Sequence, residues 1–213
     1  ASFKWKPSTK WKRKNYDLHA IVGFYIYSLA FVLAFTGSVM AFNWFYYIVY
    51  KSAGGTKAPQ FIIPNNNSGL AMNDGKTMPL DKLIPKLQED VPEADSFELH
   101  YPYSDSTSVY VEVSRMDGVY YNSDYRFFDA NTLEEIETPS IYGKYSEATF
   151  ADKVIRMNYD IHIGSIGGIT GKIIAFLSSL IIASLPVTGT LLWYGKKYKT
   201  TSRKEKLPQG LVG

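Results

Sequence analysis

Two of the three histidines in this chain close matching pentapeptides, and their residue type and placement could do chemistry. Residues 15–19 read NYDLH and residues 158–162 read NYDIH, so the two histidines are His19 and His162. A neutral imidazole can ligate a metal ion, and an imidazole can transfer a proton near neutral pH. A segment repeated at the same structural position favours a shared role for the two histidines.

Each pentapeptide precedes an apolar stretch with a Thr-Gly pair, first Thr36-Gly37 and then Thr188-Gly189. Ionisable groups at membrane depth are costly, so a histidine there is read as functional by default. Both histidines, however, stand where a stretch begins, and water at an interface solvates an imidazole cheaply. A satisfied interfacial histidine is therefore the alternative. The third, His100, is expected to be a half-buried strand histidine without a partner histidine for a metal.

The apolar stretches are the elements that must position these histidines. Residues 20–50 contain no Asp, Glu, Lys or Arg, and neither do residues 173–195. A helix of about 20 apolar residues crosses a ~30 Å hydrocarbon core. We therefore predict two transmembrane helices, over residues 18–50 and 165–195. The first is longer than the roughly 7–15 apolar residues of a signal peptide, and it ends in an aromatic belt rather than a cleavage site, so we expect it to be retained.

The charges predict the orientation of these helices. Residues 1–14 hold six Lys/Arg and no acid, whereas residues 52–160 hold 18 acids and nine Lys/Arg. Short basic flanks stay on the cytoplasmic side. We therefore expect a cytoplasmic basic arm (1–17), a cytoplasmic basic tail (196–213) and a middle segment that faces outward. The net charge of +3 hides this segregation and does not indicate nucleic-acid binding.

The middle of the chain opens with a linker and a helix. Residues 51–75 are rich in Gly, Pro and Asn and are typical of a linker. In the predicted domain over residues 76–139, apolar residues recur at the 3.6-residue spacing of a helix with one buried face, after Thr77 as N-cap. These apolar residues are Leu80, Leu83, Ile84, Leu87 and Val91. With no cysteine, the domain must fold by packing alone.

The rest of this domain has the period of two that is typical of strands. Alternation over residues 97–103, 109–113 and 119–128 predicts antiparallel strands, with a hairpin turn at Asp117-Gly118 and a last strand over residues 133–136. The fold class is therefore an α+β membrane protein: two antiparallel transmembrane helices and an inserted domain of one helix and three or four antiparallel strands. Residues 140–164 are predicted to form an amphipathic interfacial segment.

Several motifs of the apolar stretches resemble a known family. The first stretch contains LHAIVGFYIYSLAFVLAFTG, with His19 and Gly23, and the second begins IHIGSIGGITGKI and continues to VTGTLLWYGKK, with His162, Gly164 and Gly168. These sequences are similar to those of PepSY-associated transmembrane proteins, which include iron-regulated inner-membrane proteins and ferric-siderophore reductases. The inserted domain resembles a PepSY domain, which has the same order of helix and strands.

The resemblance implies a bacterial inner-membrane protein with its inserted domain in the periplasm. It also implies a b-type haem held by membrane histidines, which passes electrons across the membrane to reduce ferric complexes. It makes His19 and His162 the candidate axial ligands, with Gly23, Gly164 and Gly168 allowing close approach of backbone or macrocycle. Imidazole suits this role because it is a good axial ligand for haem iron. We expect no other metal site.

The predicted topology separates the two histidines. His19 lies where the first helix enters from the cytoplasm and His162 where the second enters from the outside, so about 30 Å of hydrocarbon separates them. They cannot ligate one haem within a single chain. Each haem would therefore need its second ligand from another copy of the chain or another membrane subunit.

Two functions remain open from the sequence. The first is a haem-binding electron-transfer protein, which would be an enzyme only if it acts as a ferric-siderophore reductase-like oxidoreductase. The second is a non-catalytic accessory or scaffold subunit of a larger membrane complex, with the PepSY-like domain as a protein-interaction module. Neither flavin nor nicotinamide fingerprints occur, so any electrons for a reduction must come from outside this chain.

Overall fold

The computed structural model describes residues 11–69 and 79–205. Most of the predicted basic arm, the predicted cap Thr77 and the end of the basic tail lie outside these residues. The chain forms two compact units. In one, the residues up to Ala34 join those from Ile173 onward, and the other consists of Phe35–Lys172.

Two long helices carry the apolar stretches. Helix α1 is Trp11–Ala41, and α5 is Gly168–Glu205 after a short 3-10 turn at Ser165–Gly167. Both are long and apolar enough to cross a membrane, and only 6% of the residues in the most apolar window of each are buried by the protein itself. The core helix of a soluble protein would bury this face, so lipid is the environment that suits these surfaces.

The segment predicted as one crossing over residues 18–50 is divided in two. After α1 ends at Ala41, Phe42 takes an extended conformation with φ −123° and ψ 108°. Helix α2 then runs over Asn43–Ser52. The aromatic residues predicted to form an interfacial belt lie at this break and in α2, so the helix is interrupted where the apolar stretch becomes aromatic.

The inserted domain is one helix on a four-stranded antiparallel meander, as predicted. Helix α3 (Leu83–Asp90) is followed by β1 (Ser96–His100), β2 (Val109–Ser114), β3 (Asp124–Phe128) and β4 (Glu135–Ile136), in that spatial order. Alternate residues of β2 are fully buried against α3. The core contains Leu83, Leu87, Val91, Val109, Val111, Val113, Phe128 and Ala130.

Three predicted strands are shorter in the structure. The strand predicted over residues 97–103 ends at His100, and the other two differ for local reasons. Residues 119–123, predicted as strand, form a turn instead, because the carboxylate of Asp160 accepts the backbone N–H groups of Tyr120 and Tyr121. A strand ladder would use the same N–H groups. The last strand begins at Glu135 rather than at Leu133, whose φ of 59° is incompatible with an extended strand.

The described part of the segment predicted as a linker is held against the sheet domain by hydrogen bonds and short bridges. The Ser68 hydroxyl and backbone N–H donate to Asp129, at 2.6 and 2.8 Å, and Asp129 is 1% exposed. Burial opposes ionisation of Asp129, but these bonds and those from the backbone N–H groups of Asn131 and Thr132 lower its pKa to about 2. Ala58 and Asn65 add bridges to Ser140 and Thr107.

The segment predicted to be amphipathic, residues 140–164, contains helix α4, Phe150–Ile163. It begins with a capping box, in which Thr149 accepts from the backbone N–H of Asp152 and the Asp152 carboxylate accepts from that of Thr149. Its apolar face joins α2 and the end of α1 in a second core. This core contains Val39, Tyr50, Ile141, Ala151 and Ile155.

Candidate functional site: two matching histidine clusters

The structure pairs each pentapeptide with the Thr-Gly pair of the other apolar stretch. His19 contacts Thr188, and His162 contacts Thr36. We call residues Asn15, His19, Thr188 and Gly189 the first cluster, and residues Asn158, His162, Thr36 and Gly37 the second cluster. Each cluster lies within one compact unit. The sequence repeat is therefore also a repeat of three-dimensional contacts.

In the first cluster, α1 supplies the amide and the imidazole, and α5 supplies the threonine and glycine. The distance from His19 Nδ1 to Thr188 Oγ1 is 2.7 Å. One turn earlier in α1, the buried Asn15 side chain donates to the backbone carbonyl of Thr188 at 3.4 Å. Two side chains of one helix face thus hold a single residue of α5, which fixes the position of the imidazole.

The second cluster repeats these contacts with the roles of the helices exchanged. His162 Nδ1 lies 2.8 Å from Thr36 Oγ1, and the buried Asn158 side chain donates to the Thr36 carbonyl at 3.0 Å. Here α4 supplies the amide and imidazole, and α1 supplies the threonine. Thr36 is 4% exposed, so this hydrogen bond is well shielded from water.

The partner of Nδ1 in the first cluster is a hydroxyl, which can either donate or accept. The Thr188 hydroxyl also lies 3.1 and 3.3 Å from the backbone carbonyls of Leu185 and Ser184, which are alternative acceptors for its proton. When the proton points to one of these carbonyls, the hydroxyl accepts from a protonated Nδ1 of His19. In a neutral imidazole this tautomer leaves the Nε2 lone pair available to a ligand.

The aspartate shared by the two pentapeptides holds each segment locally. Asp17 is buried and pairs with Arg13, with Nε and Oδ1 3.0 Å apart. Asp160 is fully buried and accepts from the backbone of Tyr120 and Tyr121 and from the Ser165 hydroxyl. The same residue type therefore stabilises the backbone around each histidine through different partners.

The glycines predicted near the site have two kinds of role. Gly23 lies four residues after His19 in α1, and a Cβ there would meet nothing within 4 Å, so the surface beside the imidazole is open. Gly164 ends α4 with φ 79°, and Gly168 begins α5 with φ 61°. At these two positions glycine is required by the backbone between the helices.

His100 has partners that the sequence did not reveal. Its ring stacks on that of Tyr110, with centroids 4.1 Å apart, and Nε2 lies 3.3 Å from the Glu98 carboxylate. With Glu112 opposite Glu98, three potential metal-ligand atoms lie within 4.8 Å of one another. The stacking on Tyr110 and the contact with the Glu98 carboxylate already account for a half-buried strand histidine.

The motifs around both clusters match a family model. The model of the PepSY-associated TM region matches residues 1–196, which is most of the chain. The chain belongs to the PepSY-associated transmembrane family. Both clusters lie within the matched residues, and the two apolar helices of this PepSY-associated protein are membrane-spanning helices. No curated protein sequence matches the chain.

The sequence alone did not predict that each histidine contacts the threonine of the other apolar stretch. It also did not predict the roles of Asn15 and Asn158. The signal was nevertheless present, because both stretches carry the same pentapeptide and the same Thr-Gly pair. Two antiparallel helices with these segments in the same order bring the start of each close to the end of the other. Predicting these contacts requires knowing which helices pack against each other.

The glycines of the two Thr-Gly pairs should respond differently to substitution by alanine. A Cβ on Gly37 would lie 3.1 Å from Cε1 of His162, whereas one on Gly189 would lie 3.4 Å from Cε1 of His19. Alanine in a helix is favoured over glycine by about 0.5–1 kcal/mol. We expect Gly189→Ala to keep this gain and Gly37→Ala to lose it, as measured by thermal unfolding in one detergent.

Gly195→Ala in α5 is the matched control, because nothing lies within 4 Å of its added Cβ. It should show the full helix-propensity gain. Equal stabilisation by Gly37→Ala and Gly195→Ala would mean that the imidazole of His162 does not lie against Gly37.

Proposed function

We propose that this PepSY-associated protein binds b-type haem through His19 and His162 and passes electrons across a bacterial inner membrane in iron or siderophore metabolism. The segregation of basic residues supports cytoplasmic termini and a periplasmic sheet domain. When bound, haem supplies one-electron redox chemistry, and the chain supplies its ligands and its surroundings.

The main support is the hydrogen bond on the far nitrogen of each imidazole. Metal-ligating histidines almost always donate their other ring N–H to a nearby acceptor, which fixes the ring and its tautomer. The Nδ1 atoms of His19 and His162 lie 2.7 and 2.8 Å from threonine hydroxyls. A histidine that is only solvated at an interface needs no such partner. Two histidines with matching threonine partners are harder to explain as solvated interfacial residues.

The surroundings of His19 also fit a flat macrocycle. The open surface over Gly23 leaves space beside the imidazole on the same face of α1. Most side chains of this face are apolar and exposed, among them Phe24, Tyr27 and Phe31. Apolar walls around a ligated iron exclude water and so influence its reduction potential.

Each cluster contributes one histidine, and the third histidine of the chain, His100, lies in the sheet domain. A second axial imidazole must therefore come from another chain. We propose a homo-oligomer or a complex with other membrane subunits, in which apolar helix faces of neighbouring chains meet. Whether the complex reduces a ferric siderophore then depends on an electron donor outside this chain.

The alternative is an accessory or scaffold subunit without haem. The favouring observation is that both clusters already form complete hydrogen-bonded links between helices, which stabilise a membrane protein without any cofactor. In this case the PepSY-like domain would bind a neighbouring subunit.

The visible spectrum of the full-length protein, purified in detergent from its own membranes, separates these functions. We expect reduction by dithionite to produce the absorption bands of a six-coordinate b-type haem. A colourless preparation that retains other subunits in constant ratio would contradict the haem proposal and support the accessory function.

A further inference from the structure

An aromatic cavity of about 730 Å³ lies in the unit formed by Phe35–Lys172. Its walls come from the end of α1, from α2, from α4 and from the sheet domain. Six of its lining residues are tyrosines, Tyr46, Tyr47, Tyr120, Tyr125, Tyr142 and Tyr159. The histidine clusters do not use this cavity, although Asn158 lies on its wall.

Arg156 of α4 is the charged residue in the cavity wall, and it is 4% exposed. Its guanidinium donates to the backbone carbonyls of Ser123 and Gly143. Its Nε is buried and has no hydrogen-bond partner among the described residues. The rings of Tyr125 and Tyr145 lie 5.4 Å from the guanidinium carbon and offer only weak compensation.

Arg156 also differs from the other arginines of its unit. Arg126 pairs with Asp90 and Glu135, and Arg115 pairs with Asp124 at 2.6 Å. For Arg156, no carboxylate of the described residues lies within the 4.0 Å of an ion pair. Burying a charge without a partner is unfavourable, and burial accordingly lowers the pKa of Arg156.

We propose that this cavity binds a ligand with an apolar or aromatic body and one carboxylate or phosphate group, and that Arg156 is the counter-ion of that group. Guanidinium matches either oxyanion through its fork of N–H donors, and the unpartnered Nε is one of these donors. The surrounding tyrosines supply ring faces for the body and hydroxyls for further hydrogen bonds to the anion.

Two sources could supply this chemistry. Met40, on the cavity wall, is next to the last residue of α1, where the apolar span ends. An acidic phospholipid could therefore place its phosphate beside Arg156. A small aromatic carboxylate could instead enter from water through the sheet-domain side, past Phe61. The inference does not rest on haem, because its readout is anion binding, which a colourless protein would also show.

The test uses the full-length protein and two probes. Benzoate is titrated by calorimetry into the protein in uncharged detergent, and thermal stability is compared in nanodiscs of phosphatidylglycerol and of phosphatidylcholine. We expect saturable benzoate binding, or a higher melting temperature in phosphatidylglycerol. Arg156→Gln should weaken the benzoate affinity about tenfold or more, or remove the lipid effect. Lys86→Gln, which removes an exposed positive charge of α3 outside the cavity wall, is the matched control.

A second variant covers the case in which Arg156→Gln does not fold. Met40→Trp adds volume at the cavity wall, keeps Arg156, and suits an interface, where tryptophan is favoured. It should block the same probe that the wild type binds. An effect with benzoate alone identifies a soluble carboxylate, and an effect in phosphatidylglycerol alone identifies a lipid. Wild-type protein without either effect, or effects unchanged in both cavity variants, would overturn the proposal.

Discussion

Replacing His19 or His162 with alanine should each remove one haem population, so that haem content falls to about half and the remaining spectrum stays six-coordinate. The reason is that each histidine belongs to its own cluster, within its own compact unit. The double variant should be colourless. The measurement is the pyridine haemochrome content per chain of the proteins purified in the same detergent.

Graded variants of the threonines test whether the clusters position these imidazoles. Loss of the partner on the far nitrogen of a metal-bound histidine typically costs about 10–100-fold in affinity. Thr188→Val and Thr36→Val should therefore weaken haem retention by this factor, each in its own cluster. Thr188→Ser and Thr36→Ser keep the hydroxyl and should restore it.

His100→Ala is the matched control, since His100 lies in β1 and stacks on Tyr110. It should leave haem content unchanged. Loss of all haem from His19→Ala alone, with normal folding by circular dichroism, would contradict two separate sites. Equal haem retention by the valine and serine variants would show that the threonines do not orient the rings.

The largest effect on stability is expected from Asp152→Ala. The Asp152 carboxylate is fully buried and accepts from the Tyr50 hydroxyl and the Thr149 backbone N–H, both at 2.9 Å. It also lies 3.5 Å from the ammonium of Lys57. Removing one partner from a buried polar network costs about 3–5 kcal/mol. For a chain of this size, the melting temperature should fall by roughly 10 °C.

The pH dependence of this effect follows from the pKa of Asp152. Burial opposes its ionisation, but hydrogen bonds from Thr149 and Tyr50 and the charge of Lys57 outweigh burial, so the pKa is lowered. A carboxyl with a lowered folded-state pKa stabilises the protein above its unfolded-state pKa of about 3.9. The advantage of wild type over Asp152→Ala should thus be constant from neutral pH to about pH 4 and shrink below it.

The pKa of Tyr50 depends on the same hydrogen-bond network. Burial, followed by its hydrogen bond to Asp152, raises the pKa of Tyr50 to about 12. Ultraviolet titration of the phenol should therefore show one tyrosine that ionises earlier in Asp152→Ala. Glu89→Ala, which removes an exposed carboxylate of α3, is the matched control for stability. A stability loss in Glu89→Ala as large as in Asp152→Ala would contradict the argument from burial.

Local patterns were sufficient to predict most of the elements. Long charge-free stretches can satisfy their backbone in lipid only as helices, so both apolar helices were readable from the sequence. The alternation of Val109, Val111 and Val113 predicted β2, because one face of a strand packs on a core. Where strand predictions failed, at residues 119–123, a distant carboxylate from Asp160 held the backbone in a turn.

For the candidate site, too, one part could be predicted from the sequence and the other part could not. The chemistry-bearing residues, His19 and His162, were identifiable from a repeated pentapeptide, because residue type and spacing are properties of the chain. Their partners Thr188 and Thr36 were not, since each is more than 100 residues away and is chosen by how helices pack. The unpaired charge of Arg156 likewise became visible only once the surrounding side chains were in place. Sequence sets which groups a chain carries, whereas tertiary contacts decide which of them share a proton or lack a counter-ion.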